Sequence, residues 1–251
     1  TNVIDAGTED DTITASGGTN TITAGDGNDA ITLNNGINSL VAGSGADTIT
    51  AASGVNTIDT GEDDDVITLN NGTNNVYGGS GLDSITASGG TNTIDAGVNN
   101  DTINLNNGTN SVIAGTGADT ITALSGLNTI DGGDGADVIN LSGGDNTVFG
   151  ASGADSITAT AGRNVVNTGA DDDIIHLSNG TNSVIAGVGA DTITATNGTN
   201  TIEAGNDADV ISLSGGNNTV FGGSGTDSIT ASNGTNVIDA GTEDDTITAS
   251  G

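Results

Sequence analysis

One aspartate recurs every 18 residues along the whole chain. When the 251 residues are written in lines of 18, position 11 is Asp in thirteen complete lines and in a fourteenth that lacks one residue. Carboxylates without sulfur or imidazole partners favour hard Ca²⁺ over zinc or copper. If the lines stack as coils, these carboxylates repel one another unless divalent cations lie between them. The row therefore predicts a column of calcium ligands, formed by Asp11, Asp29, Asp47, Asp65, Asp83, Asp101, Asp119, Asp137, Asp155, Asp173, Asp191, Asp209, Asp227 and Asp245.

An alternative interpretation of the aspartate row needs no ion. Asp and Gly are common turn residues, and an Asp side chain can accept hydrogen bonds from the amides of its turn. The turns are also not uniform, so the sequence leaves the calcium occupancy of each coil open. Glycine at position 9 or 7 is replaced in seven coils, by Glu9, Asp63, Asn99, Asp171, Asp207, Glu243 and Ala151. Extra carboxylates, either ligands or solvated, stand at Asp10, Asp64, Asp172 and Asp244.

Position 2 carries asparagine in every coil, on the edge opposite the aspartates. An amide side chain both donates and accepts hydrogen bonds, so stacked asparagines can bind their copies on neighbouring coils without an ion. This row predicts a structural ladder, with calcium held through carbonyl groups as the alternative. Its members are Asn2, Asn20, Asn38, Asn56, Asn74, Asn92, Asn110, Asn128, Asn146, Asn164, Asn182, Asn200, Asn218 and Asn236.

The elements that position both rows follow from the same period. Each 18-residue line has two halves, and each half is a Gly/Ser/Asn-rich turn followed by a short β-favouring run with a central aliphatic residue. Position 13 is always Ile, position 4 is always aliphatic, and position 15 alternates mainly between Ala and Leu. We expect an all-β parallel β-solenoid (β-roll) of 14 coils with two short strands per coil. Residues 1–251 should form one continuous domain, with full coils over 1–234 and a partial coil over 235–251.

The aspartate half of each coil resembles a known nonapeptide, Gly-Gly-x-Gly-x-Asp-x-aliphatic-x. Close instances begin at Gly78, Gly132 and Gly222. Here the whole chain resembles the repeats-in-toxin (RTX) family of secreted bacterial calcium-binding β-rolls. The resemblance implies that the Asp carboxylates and turn carbonyls enclose Ca²⁺. It also implies secretion in an unfolded state through a type I pathway, followed by folding in calcium-rich medium.

Composition excludes several classes of function. One Arg and no Lys stand against 33 acidic residues, giving a net charge of −32, so nucleic acid is not an expected partner. The sequence has no apolar run long enough to span a membrane. One His, no Cys and no Lys leave no catalytic constellation, so we expect a non-enzyme. The composition and the resemblance together predict an extracellular or cell-surface protein.

Two outward rows suggest contacts. From the third coil onward, alternate coils place an apolar residue at position 5, a possible lateral contact row of Val41, Tyr77, Ile113, Phe149, Ile185 and Phe221. Thr-x-Thr triplets such as Thr120 and Thr122 resemble ice-binding arrays.

The leading hypothesis is a calcium-stabilised structural rod, as in an adhesin stalk, surface layer, matrix or filament. A ligand- or ice-binding surface and an RTX secretion or folding appendage of a larger enzyme or toxin are the alternatives. Residues 1–17 recur identically at 235–251. We therefore expect the rod to continue in a longer chain or to stack end to end.

Overall fold

A computed structural model describes residues 1–250, which form 26 β-strands and no helix. The chain contains two compact units, Thr1–Ile130 and Asp131–Gly251, which are described separately. The first unit contains β1 (Asn2–Thr8), β2 (Thr12–Asp26), β3 (Ala30–Ser44), β4 (Thr48–Ala51), β5 (Val55–Glu62), β6 (Val66–Leu69), β7 (Thr73–Ser80), β8 (Ser84–Ala87), β9 (Thr91–Val98), β10 (Thr102–Leu105), β11 (Thr109–Thr116) and β12 (Thr120–Ala123). The unit boundary falls within β13 (Leu127–Asp134). The second unit contains β14 (Val138–Leu141), β15 (Asp145–Ser152), β16 (Ser156–Ala159), β17 (Arg163–Ala170), β18 (Ile174–Leu177), β19 (Thr181–Val188), β20 (Thr192–Ala195), β21 (Thr199–Asn206), β22 (Val210–Leu213), β23 (Asn217–Ser224), β24 (Ser228–Ser232), β25 (Thr235–Thr242) and β26 (Thr246–Ser250).

Strands in both units pair in parallel with a register of 18 residues. In the first unit Ile103 of β10 pairs with Ile121 of β12, and in the second Ile175 of β18 pairs with Ile193 of β20. Each residue thus stacks on its equivalent in the next coil. The prediction of an all-β parallel β-solenoid with 18 residues per coil is confirmed in both units.

The core is narrow and aliphatic. Side chains alternate between the two faces of a strand, and the exposure of the chain follows that alternation. Positions 4, 6, 13 and 15 point inward, and residues such as Val112, Ile121 and Ala123 are almost completely buried. Leu105 and Ala123 face the core at position 15 of neighbouring coils, so large and small side chains alternate along the stack.

The two strands of a coil are unequal in length. The typical long strand covers positions 1–8, as in β11, and the short strand covers positions 12–15, as in β12. Position 6 is omitted from the pairing of the long strands: Ile113 pairs with Asp95 and Gly115 with Gly97, whereas Ala114 is skipped. β2 and β3 are longer because they continue around a corner through an irregular register.

The substituted turns keep the positive φ of the glycine turns. Glu9, Asp63 and Asn99 replace glycine at position 9 and have φ values of 87°, 77° and 80°. Ala151 replaces glycine at position 7 and has a φ value of 83°. Asn and Asp tolerate this left-handed region better than other L-residues, while Glu and Ala are strained there. A positive φ is therefore common to these coils and to those that have glycine, although it reaches 142° at Gly81 and Gly117.

Candidate metal centre

The structure places the aspartate row inside the coil, at the corner that follows the long strand. The side chains from Asp29 to Asp227 are almost fully buried, while Asp11 and Asp245 are intermediate. One carboxylate oxygen, Oδ1, accepts a hydrogen bond from the backbone N–H of the aspartate one coil earlier. In the first unit Asp29 N–H donates to Asp47 Oδ1 at 2.8 Å, and in the second Asp155 N–H donates to Asp173 Oδ1 at 2.8 Å. The aspartates therefore do accept hydrogen bonds from turn amides, as the ion-free interpretation predicts, but these bonds use only one oxygen of the carboxylate.

The second oxygen, Oδ2, is the chemically unusual atom. It is buried and has no hydrogen-bond partner in eleven described residues: Asp11, Asp29, Asp47, Asp65, Asp83, Asp101, Asp155, Asp173, Asp191, Asp209 and Asp227. A buried acceptor of this kind is costly unless a donor or a cation satisfies it.

A backbone carbonyl approaches each such oxygen in the coils that have glycine at position 6. A Cβ built on Gly78 would lie 2.6 Å from Asp83 Oδ2 and would also touch the carbonyl oxygen of Ala96, one coil later. Gly222 shows the same convergence with Asp227 Oδ2, at 2.5 Å, and with the carbonyl of Ala240. Two oxygen acceptors therefore converge on one bare glycine.

Burial makes several carboxylates of the row hard to ionise in the absence of a cation. It raises the pKa of Asp65, Asp101, Asp155 and Asp209 to about 7. The hydrogen bond from the preceding amide opposes the rise, and neighbouring aspartates add to it. A bound divalent cation would reverse the balance and hold the row ionised.

The donor set fits calcium. Converging carboxylate and carbonyl oxygens are the ligands that Ca²⁺ prefers, and neither sulfur nor imidazole is present among them. Within residues 1–250 no three His, Cys, Asp or Glu side chains are grouped as a metal site. Each ion would therefore be held by the aspartate row together with backbone carbonyls at the corner. There it would neutralise the row and link consecutive coils.

The extra polar side chains at position 10 cap amides of the next coil. Asp64 Oδ1 accepts a hydrogen bond from Leu82 N–H, and Asp172 Oδ1 accepts one from Ala190 N–H, both at 2.7 Å. Asn100 plays the same part for Ala118 N–H at 2.8 Å. Asp and Asn are interchangeable here, so this contact needs an oxygen acceptor and no charge.

The asparagine row lies inside the opposite corner. In the first unit Asn74 Nδ2 donates to Asn92 Oδ1 at 2.7 Å, and in the second Asn182 Nδ2 donates to Asn200 Oδ1 at 2.7 Å. The second Nδ2 proton reaches a carbonyl of the same turn, as in the 3.0 Å bond from Asn200 to Asn197. Donor and acceptor are both used within the protein.

The position-5 row lies on the outer face of the long strands. Val41, Tyr77 and Ile113 are between 44% and 50% exposed in the first unit. Phe149 and Phe221 are 42% and 45% exposed in the second unit, which also contains Ile185. Each unit thus presents a row of half-exposed apolar side chains.

Two buried hydroxyl groups were not predicted from the sequence. Thr60 and Thr168 stand at position 6, where the other coils have only Ala or Gly, and both are completely buried. Thr60 Oγ1 donates to the carbonyl of Gly78 at 2.6 Å, and Thr168 Oγ1 donates to the carbonyl of Ala186 at 2.9 Å. The sequence could have indicated them, because threonine replaces the Ala or Gly found at position 6 in the other coils.

The parallel coils and the internal column of carboxylates define a metal-binding β-solenoid. The model of the RTX calcium-binding nonapeptide repeat (4 copies) matches overlapping segments at 1–31, 32–67, 68–103, 104–139, 113–148, 123–157, 149–184, 176–211, 185–220, 194–229 and 212–247. The chain belongs to this family, and its cofactor is Ca²⁺.

Among solved structures, the chain is similar to a hyperactive, Ca²⁺-dependent, β-helical antifreeze protein from an Antarctic bacterium. The identity is 22% and the TM-score is 0.70, over 89% of this chain and 83% of that chain. At this identity the likeness shows the fold. A search of curated proteins finds no match.

Proposed function

We propose that this chain is an extracellular structural rod in which calcium stabilises the folded state. The observation that carries the proposal is the buried Oδ2, which recurs from coil to coil and, in the glycine coils, lies beside a carbonyl of the next coil. An ion held there links coils and marks no single cleft, so its effect is on folding and stiffness. On this view the chain is not catalytic, and residues 1–251 form one continuous solenoid within an adhesin stalk, surface layer, matrix or filament.

Charge gives the proposal its physical basis. The formal net charge is −32, and the aspartate row brings carboxylates into a buried column. Without cations the chain repels itself and stays extended, a form suited to export from a calcium-poor cytosol. Calcium in the medium then supplies the missing positive charge and drives folding.

The test is far-UV circular dichroism during calcium titration and chelation, with bound calcium measured on the same samples. We expect β structure to appear with calcium and to be lost with chelator. Mg²⁺ serves as the control, because it prefers a smaller octahedral site and keeps its water. An unchanged spectrum in chelator, with no calcium bound after purification, contradicts the proposal.

Ice binding is the second candidate, and the antifreeze protein named above is the observation that favours it. Exposed Thr120 and half-exposed Thr122 lie on the outer face of a short strand and form one of the Thr-x-Thr triplets that resemble ice-binding arrays. The array is interrupted by Val66, Val138, Ile174, His176 and Val210. Thermal hysteresis of the calcium-loaded chain separates the candidates: a rod without an ice face gives none above a control protein of equal concentration.

The position-5 row supports a proposal of lateral self-association. Replacing Phe149 and Phe221 with Ser removes apolar surface from the row without touching the core. Sedimentation velocity should show weaker association at an unchanged melting temperature. Glu203→Gln, which changes an outward residue of an intervening coil, is the control. Equal association of the Ser variant and the parent chain would contradict a role of the position-5 row in self-association.

A further inference from the structure

Arg163 differs from every other residue at position 1. It is the only Lys or Arg residue in a chain that has 33 acidic residues. Most coils have threonine at this position, and the others have Ile, Val, Leu, Asp or Asn. Arg163 begins β17, and its side chain is exposed on the outer face of the long strands of the second unit. Its guanidinium is therefore the one permanently charged side chain of the protein that attracts an oxyanion.

A cleft of about 150 Å³ opens beside Arg163. It extends across the next two coils, where its lining includes four hydroxyl-bearing residues, Thr181, Ser183, Thr199 and Thr201. These four side chains are exposed, and within the described part of the chain none of their hydroxyl groups has a hydrogen-bond partner. A hydroxyl group donates one hydrogen bond and accepts two. The cleft therefore combines one cation with four free hydroxyl groups.

The sheet fixes these hydroxyl groups in a grid. Positions 1 and 3 are about 6.6 Å apart along a strand, and neighbouring coils are about 4.8 Å apart. Strict register maintains both spacings, since Thr181 lies opposite Thr199 and Ser183 opposite Thr201. The inward side chains of the same strands are almost fully buried, so the backbone beneath the cleft is anchored. A ligand with several hydroxyl groups on one ring would thus meet a preorganised surface.

Two carboxylates lie near the cleft without lining it. Asp145 pairs with Arg163 from the preceding coil, on the side away from the cleft. An exposed ion pair is weak, so Asp145 competes little with a ligand for the guanidinium. Glu203 lies two residues after Thr201 in β21, at the far edge of this face. More distant charges are screened beyond about 8–10 Å at physiological salt, so an anion can reach Arg163 despite the net charge of −32.

We propose that this cleft binds an acidic saccharide, with the carboxylate of a uronic acid on Arg163 and the ring hydroxyls on the four Ser and Thr side chains. The planar guanidinium matches a carboxylate through two parallel hydrogen bonds. The side-chain hydroxyls both donate and accept, as the hydroxyls of a sugar ring do. Val165 also lines the cleft and is 44% exposed, so it supplies apolar surface for the C–H groups of the ring. Such a site gives the rod a point of attachment to an acidic polysaccharide.

The experiment uses the single arginine, which gives one side-chain Nε–H signal in a nitrogen–proton correlation NMR spectrum of the calcium-loaded chain. Glucuronate is titrated against this signal. Acetate serves as the carboxylate without a ring and glucose as the ring without a charge, all at equal calcium concentration and ionic strength. We expect a saturating shift with glucuronate, weaker binding of acetate and no binding of glucose. Absence of a saturating shift, or equal affinity for glucuronate and either control, overturns the proposal.

Variants assign the contributions of the cation and the hydroxyl groups, with binding followed through the backbone amides of β19 and β21. Arg163→Gln should weaken glucuronate binding about tenfold or more, because a charge-assisted bidentate pair is lost. Ser183→Ala combined with Thr201→Val should weaken the binding of glucuronate and leave that of acetate unchanged. Thr109→Gln, at position 1 of a coil in the first unit, is the control and should change neither. Glucuronate binding that survives Arg163→Gln contradicts the site.

Two further measurements complete the test. All the substituted side chains are exposed, so the melting temperature in calcium should stay at the parent value and loss of binding would not reflect unfolding. A glucuronate trisaccharide that binds more tightly than the monosaccharide identifies a polysaccharide chain as the ligand, whereas equal binding identifies the free sugar acid.

Discussion

Ala151 offers a sharp test of how the corner is built. It occupies position 7, where the other thirteen coils have glycine, and its φ of 83° lies in the left-handed region. The coil that contains Gly223 is its natural comparison. Asn-Thr-Val-Phe-Gly-Ala-Ser-Gly over residues 146–153 and Asn-Thr-Val-Phe-Gly-Gly-Ser-Gly over 218–225 differ only at this position. Ala151→Gly should therefore stabilise the protein.

The size of the effect follows from two opposing contributions. An L-residue in the left-handed region costs about 1–2 kcal/mol. Crowding adds to this, since a Cβ built on Gly223 would lie 2.9 Å from the carbonyl carbon of Gly205, one coil earlier. Glycine in turn lowers the free energy of unfolding by roughly 0.4–1 kcal/mol, because it increases the conformational freedom of the unfolded chain. The net gain is about 1 kcal/mol, or a rise of about 2–4 °C in melting temperature for a domain of 150–250 residues.

The assay is thermal unfolding followed by circular dichroism in saturating calcium. Gly223→Ala is the reverse change in the matched coil and should lower the melting temperature by a similar amount. The two substitutions combined should leave it near the parent value, since the sites are four coils apart. If Ala151→Gly lowers the melting temperature, or Gly223→Ala has no cost, the corner is not conformationally restricted as described.

Three further predictions concern the two polar columns. Asp155→Asn keeps an Oδ1 acceptor but removes a buried charge, so it should stabilise the calcium-free fold by about 1 kcal/mol and lower the bound calcium, as read by melts in chelator and by atomic emission; equal calcium binding would contradict its role as a ligand. Asn200→Ala removes hydrogen bonds to Asn182, Asn197 and Asn218, and it should cost about 3 kcal/mol in urea unfolding with calcium present or absent. A loss seen only with calcium would place an ion at that corner. Because burial raises the pKa of Asp101 and Asp155 to about 7 in the folded state, protonation favours the calcium-free fold; β structure in chelator should increase as the pH falls from about 8 to about 5 and be lost as it rises through about 7. If the β signal in chelator weakens as the pH falls, the predicted direction of the pH dependence is wrong.

The 18-residue period made the fold predictable, because a parallel stack in which Ile103 lies on Ile121 is the arrangement that aligns every recurring residue at once. The period also located both polar rows. It did not show how the oxygens of one carboxylate are divided. It also did not show that position 6 lies beside Oδ2, where a glycine such as Gly78 has Asp83 Oδ2 and the Ala96 carbonyl of the next coil as neighbours. Capping and metal binding were separate interpretations of the sequence, but the structure gives Asp83 Oδ1 to a backbone amide and leaves Oδ2 for a cation.

Both columns have a consistent sense along the chain. Asn74 donates to Asn92, and Asp65 N–H donates to Asp83 Oδ1, so in each case the donor precedes the acceptor by one coil. In these two columns each coil therefore presents donors to the next coil and acceptors to the preceding one. Reversing one coil would set donor against donor at one junction and acceptor against acceptor at the other. The molecule can be lengthened by tandem copies in a single orientation, and inverted or mirrored arrangements are forbidden by its own hydrogen bonds.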